Sequence, residues 1–131
     1  EAGRELPRWL RFHTGARSVA ETAGATFAVL THAADLPELR RFPCGSAMQP
    51  EDACTLLVEV PSLRSGPAMH AHGPGIRGAA TLAIAGLPEG FWAEWQASHA
   101  AFPQGVDIFF TCGDHVMALP RTTRIGRLAE V

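Results

Sequence analysis

A single stretch of this chain, Pro88 to Phe102, repeats its apolar residues at sustained helical spacing; elsewhere 13 glycines and 10 prolines cut the sequence into short runs. That contrast confines the fold. Phe91, Trp92, Trp95, His99 and Phe102 fall three and four residues apart, which predicts one aromatic helix face to lay against a sheet. Pro88 suits the first helical turn, Glu89 and Glu94 favour the dipole-positive half, and Pro103 with Gly105 ends the helix.

The short runs read as strands. Ala25 to Thr31 is β-prone and bounded by Gly24 and Asp35, and Thr55 to Val60 is stopped by Pro61. Ala68 to His72, Ala80 to Ala85, Val106 to Thr111 and Val116 to Leu119 complete the set, the last two joined as a hairpin through Gly113-Asp114. Leu6 to His13 is a short helix or an extended lead-in. Asp35 is the expected N-cap of a short helix running through Leu36-Pro37-Glu38-Leu39 to Phe42-Pro43. Cys44 to Ala53 and Gly73 to Gly78 read as loops, and Pro120 to Arg127 as a polar, basic tail. Strands with helices between and after them give an α/β or α+β class: one domain over residues 1–131, a mixed sheet with flanking helices.

What is missing excludes whole chemistries. All eleven basic residues are arginine. Without lysine the chain can form no Schiff base to pyridoxal phosphate and supplies no P-loop lysine, so no cofactor of its own is expected. The net charge of −2 gives no reason to expect nucleic acid as a partner. No apolar run approaches the roughly 18–20 residues of a membrane span, and Glu1-Ala2-Gly3-Arg4-Glu5 lacks signal-peptide features; a cytoplasmic location is the expectation. Cys44, Cys54 and Cys112 form no C-x-x-C pair and read as buried or incidental thiols.

Four groups of residues carry candidate chemistry. Gly73-x-Gly75-x-x-Gly78 has the letters of a dinucleotide fingerprint, but Pro74 removes an amide and a β-prone run follows where a helix should begin; a tight turn is the reading preferred. His70 and His72 share a strand face at metal-ligand spacing, yet further ligands would have to come from His99, His115 or Cys112, and edge histidines are commoner. Cys112 stands beside Gly113-Asp114-His115, a nucleophile-like neighbourhood that sequence proximity alone does not establish. Arg121, Thr122, Thr123 and Arg124 either bind a phosphate or carboxylate or form a solvated tail, while Asp107 is either buried or turned to solvent through the pleat.

The segments Phe102-Pro103-Gln104-Gly105-Val106-Asp107-Ile108, Thr111-Cys112-Gly113-Asp114 and Leu119-Pro120-Arg121-Thr122-Thr123 resemble the C-terminal signature of the phosphonate-metabolism H proteins. Leu10 to Ala16, Ala25 to Val29 and Gly73-Pro74-Gly75-Ile76 agree with it in the same order, so the resemblance spans nearly the whole chain. It implies a fold like the large domain of pyridoxal-phosphate-dependent transferases without the cofactor site. It also implies a homodimer within a carbon–phosphorus lyase core complex containing G, I and J subunits. There G, H, I and L together displace adenine from ATP with a phosphonate, catalysis being assigned to I. Members of that family carry a further, mainly helical N-terminal region that is missing or shortened here. They usually have arginine or another polar residue where His70 and His72 stand, so no role transfers to those two positions.

The leading expectation is therefore a non-catalytic interaction protein. Its tail (Arg121, Thr122, Thr123, Arg124) and Gly73-Pro74-Gly75 loop build an interface or line a phosphate-bearing site. The competing readings are a transferase to whose shared active site this chain lends arginines, and a small metalloprotein built on His70 and His72.

Overall fold

A computed structural model describes the backbone of residues 2–127 and the side chains of residues 5–127. Helix α1 (Ala2–Thr14) leads into β1 (Phe27–Leu30), β2 (Thr55–Glu59), β3 (Met69–His72) and β4 (Ala80–Leu82). Helix α2 (Phe91–His99) precedes β5 (Asp107–Cys112), β6 (His115–Leu119) and β7 (Arg124–Arg127). The strands form two sheets. One has the order β1-β2-β5-β6, parallel except for the final hairpin; the other, β4-β3-β7, is antiparallel throughout. The α/β class with a mixed sheet is as the sequence indicates.

The strand order explains where the core lies. From β1 to β2 to β5 the sheet grows in one direction, and right-handed crossovers then place both connections on the same face. Leu36, Leu39 and Phe42 from the first connection, and Phe91 and Trp95 from the second, join one buried cluster with Leu56, Val58, Ile108 and Phe110. Each of these large side chains contributes roughly 1.5–3 kcal/mol by leaving water. Among the described residues no element covers the opposite face. Val29, Leu57, Phe109 and Ala118 lie in register across all four strands there, flanked by Phe27 (64% exposed) and Val116 (65% exposed).

Several local expectations need correction. The helix expected from Asp35 to Phe42 is two separate 3-10 turns, Ala33–Asp35 and Leu39–Arg41. Pro37 holds Leu36 in an extended conformation (ψ 117°), so Asp35 ends a turn instead of capping a helix. Helix α2 starts at Phe91, three residues later than expected, because Gly90 is left-handed (φ 82°) and shuts Pro88 and Glu89 out of it. Of its aromatic face only Phe91 and Trp95 are buried. The supposed tail contains a strand, β7, with Ile125 turned inward. The run from Ala80 to Ala85 stays in the second sheet only as far as Leu82; residues 83–85 instead bond to 62–66 through Gly66 N–H to the Ala83 carbonyl (2.9 Å) and Ala85 N–H to the Ser62 carbonyl (2.9 Å).

Candidate functional site

The residues singled out between Pro120 and Arg124 take two different directions. Arg121 turns inward. Its Nη2 and Nε donate to the two carboxylate oxygens of Asp107 (2.7 and 3.2 Å), and its own backbone N–H donates to Oδ1 at 2.7 Å. The remaining nitrogen, Nη1, donates to the carbonyls of Pro50 (2.6 Å) and Pro103 (3.4 Å). One guanidinium thus ties the end of β6, the start of β5 and two loops together, using the fork geometry that favours arginine over lysine. Partial burial pushes the Asp107 pKa up, but the hydrogen bonds from Arg121 and its charge outweigh this and hold the carboxyl below its ordinary value.

Thr123, buried at 3% exposure, anchors the next step. Trp95 Nε1 donates to the Thr123 carbonyl (3.0 Å) and Gln96 Nε2 to the Ile125 carbonyl (2.8 Å), so α2 grips the start of β7 from both sides of Arg124. Opposite, Gly73 lies so close to this segment that a Cβ there would sit 3.2 Å from the Thr122 carbonyl oxygen. The loop beyond it closes through Ile76 N–H to the Gly73 carbonyl (3.1 Å) and leads to β4, with no helix following Gly78. The phosphate-holding helix N-terminus of a dinucleotide fold is therefore not at this loop.

A cavity of about 340 Å³ opens where these pieces meet, lined by His72, Gly73, Pro74, His99, Phe102, Thr122 and Arg124. Five of the candidate site positions, His72, Gly73, Pro74, Thr122 and Arg124, are on its wall, while Arg121 and Thr123 are committed to the scaffold and Gly75 lies outside the lining. His99, which the sequence offered only as a distant metal ligand, and Phe102 complete the wall, their rings 6.1 Å apart and nearly parallel at 21°. Their three-residue spacing at the end of α2 is visible in the sequence, where it reads as packing.

The other motifs take quieter places. His70 and His72 stack at 6.2 Å, and among the described residues no group of three or more His, Cys, Asp or Glu side chains is placed to hold a metal ion. The Cys112 thiol donates to the Pro61 carbonyl at 3.6 Å. Burial, reinforced by the neighbouring Cys44, pushes the Cys54 thiol up to about 11, which keeps it protonated and inert near neutral pH. Cys44 is raised by burial too, with Arg121 opposing the shift and Glu94 adding to it.

Comparison with known proteins places this arrangement in a family. Residues 1–126 match the model of the bacterial phosphonate metabolism protein (PhnH). Over 121 residues the chain is 37% identical to the alpha-D-ribose 1-methylphosphonate 5-triphosphate synthase subunit PhnH of Rhizobium meliloti (strain 1021), covering 92% of this chain and 60% of that protein. Over 82 residues it is 37% identical to HtxG of Stutzerimonas stutzeri, whose name refers to the C-P lyase subunits; that match covers 63% of this chain and 42% of the relative. The chain thus spans three-fifths or less of the length of these two relatives. With the Phe102–Thr123 signature folded into one latch and cavity wall, and a family match running almost end to end, the chain belongs to the bacterial phosphonate metabolism protein (PhnH) family.

Proposed function

We propose that this chain is a non-catalytic subunit of the carbon–phosphorus lyase core complex. In that role it is required for phosphonate catabolism and for the step in which a phosphonate displaces adenine from ATP to give ribose 1-phosphonate 5-triphosphate. Its partners in this reading are a second copy of itself and the G, I and J subunits, and its location is the cytoplasm; no helix among the described residues is long and apolar enough to cross a membrane. Its fold is read as a cofactor-free relative of the large domain of pyridoxal-phosphate-dependent transferases, in keeping with a chain that has no lysine.

The observation that carries the reading is the outer face of the four-stranded sheet, which no described element covers. Sheets of parallel strands are ordinarily covered on both sides, and an apolar row such as Val29-Leu57-Phe109-Ala118, with Phe27 and Val116 beside it, marks a surface for protein contact. In the subunit reading this face meets a partner. The competing reading, in which the chain lends an arginine to a shared phosphate-binding active site, is favoured by Arg124, which lines the cavity and forms no salt bridge to a carboxylate among the described residues.

The test is growth on a phosphonate as sole phosphorus source, in a strain lacking its own subunit of this family and complemented with the protein that carries this chain. Phe109→Asp combined with Val29→Asp is expected to abolish growth while the protein accumulates normally, because two charges on an apolar contact cost several kcal/mol. Undiminished growth would remove the sheet face from the assembly.

A further inference from the structure

We infer that two copies of this chain associate by exchanging α1, the apolar stripe of each helix covering the outer sheet face of the other copy. This rests on the subunit reading of that face and names what occupies it. Leu6, Trp9, Leu10 and His13 recur at the i, i+3, i+4, i+7 spacing that puts them on one side of α1. Phe12 widens the stripe, its ring 5.0 Å from that of His13, and Arg8 borders it one turn before Phe12. Among the described residues nothing receives this stripe: α1 makes no extended contact with another helix or strand, and Trp9 and Phe12 are 57% and 84% exposed. The helix is nonetheless a finished element. Gly15 N–H donates to the Arg11 carbonyl (3.1 Å) and Thr14 Oγ1 to the Leu10 carbonyl (2.6 Å), closing its last turn. An isolated helix of 13 residues is marginal in water, so α1 requires a surface to lie on.

The outer sheet face has the matching properties. Its Val29-Leu57-Phe109-Ala118 row crosses four strands, about 14 Å at the usual strand spacing, and α1 is about 20 Å long, enough to lie over it. Glu59 shares the face with Leu57 and pairs with Thr111, which in turn pairs with Val116, so a carboxylate stands at the margin of the apolar row. Among the described residues neither Arg8 nor Glu59 forms a salt bridge. A helix laid stripe-down on the row carries Arg8 at its border and Glu59 is the acidic group at the border of the sheet, so charge matches where polarity does. Every residue from Gly15 to Gly24 is exposed, and this segment leaves α1 standing off its own sheet, free to reach another. Exchange about a two-fold axis makes the same contact twice and closes the assembly at two copies.

Light scattering over a dilution series of the protein that carries this chain tests the exchange. Trp9→Glu on the helix and Phe109→Asp on the sheet are each expected to weaken self-association about tenfold or more, the loss typical of a buried aromatic anchor. Val116→Asp, at a more exposed position of the same face, is the second sheet variant and should do the same while melting like the parent. The deciding sample is an equimolar mixture of Trp9→Glu with either sheet variant. Exchange predicts mixed dimers, held by the intact helix of one protein on the intact sheet of the other, at concentrations where each variant alone is monomeric. A mixture that stays monomeric would overturn the exchange and return α1 to its own sheet. Dimers lost in the sheet variants but kept in Trp9→Glu would overturn it while leaving the sheet face as a contact, so the subunit reading survives that result. Dimers kept in all three variants would overturn it as well. A monomeric parent would do so too, and its binding to phosphatidylglycerol vesicles through Trp9 would give α1 a lipid surface instead.

Discussion

Arg121→Ala is expected to destabilise the chain by about 3 kcal/mol, the scale on which removing one partner of a largely buried ion pair acts. The side chains of Arg121 and Asp107 are only 17% and 32% exposed, and the substitution strands the carboxylate together with two carbonyls, those of Pro50 and Pro103. Arg121→Lys should restore only part of the loss, since an ammonium cannot span both carboxylate oxygens and the Pro50 carbonyl at once. The pair also sets an acid response. The folded Asp107 carboxyl titrates below its ordinary value, so on acidification the unfolded chain, with a value near about 3.9, takes up its proton first. The stability from this group is complete above that unfolded value and drains away as pH falls through the folded one. Asp107→Asn should therefore be less stable at neutral pH and lose less stability than the parent on acidification. Urea midpoints at pH 7 and at progressively lower pH check both statements.

Gly66→Ala is expected to cost at least as much, about 3 kcal/mol, by a different route. A Cβ at Gly66 would lie 2.0 Å from the Ile84 carbonyl oxygen and 2.3 Å from its carbon, all backbone atoms of a residue that is 1% exposed. No rotamer change relieves that overlap; the two segments must part, breaking the bonds between Gly66 and Ala83 and between Ala85 and Ser62. Gly24→Ala is the control. Nothing lies within 4 Å of its ideal Cβ, and the change should stay within about 0.5 kcal/mol. Chemical denaturation reads both; a Gly66→Ala protein as stable as the parent would show that the 62–66 and 83–85 segments are not held as described.

These two positions also show what a sequence can and cannot reveal. Strands β2, β5 and β6 are legible because aromatic and branched residues fill them and Pro61 and Gly113-Asp114 punctuate them. Arg121 and Asp107 each stand out as polar residues beside apolar strands, but their union depends on the hairpin bringing Leu119 opposite Ile108. Strand β7 escapes notice because its only large apolar residue is Ile125, and its extended form depends on pairing with β3, far away in sequence. The local errors at Asp35 and Pro88 have local causes: Pro37 forbids the helix that Asp35 would cap, and Gly90 breaks the turn that Pro88 would begin. The cavity is half legible. Gly73, Pro74, Thr122 and Arg124 carry polar or turn chemistry outside any apolar pattern, whereas His99 and Phe102 are hidden in a periodicity that otherwise marks core.

The place of this chain in an assembly is tested most directly by light-scattering chromatography of the protein, alone and after co-expression with the G, I and J subunits. The expected result is a dimer that co-elutes with them, and a Phe109→Asp variant that does not. A chain that elutes as a monomer while the other three assemble without it would contradict the subunit role.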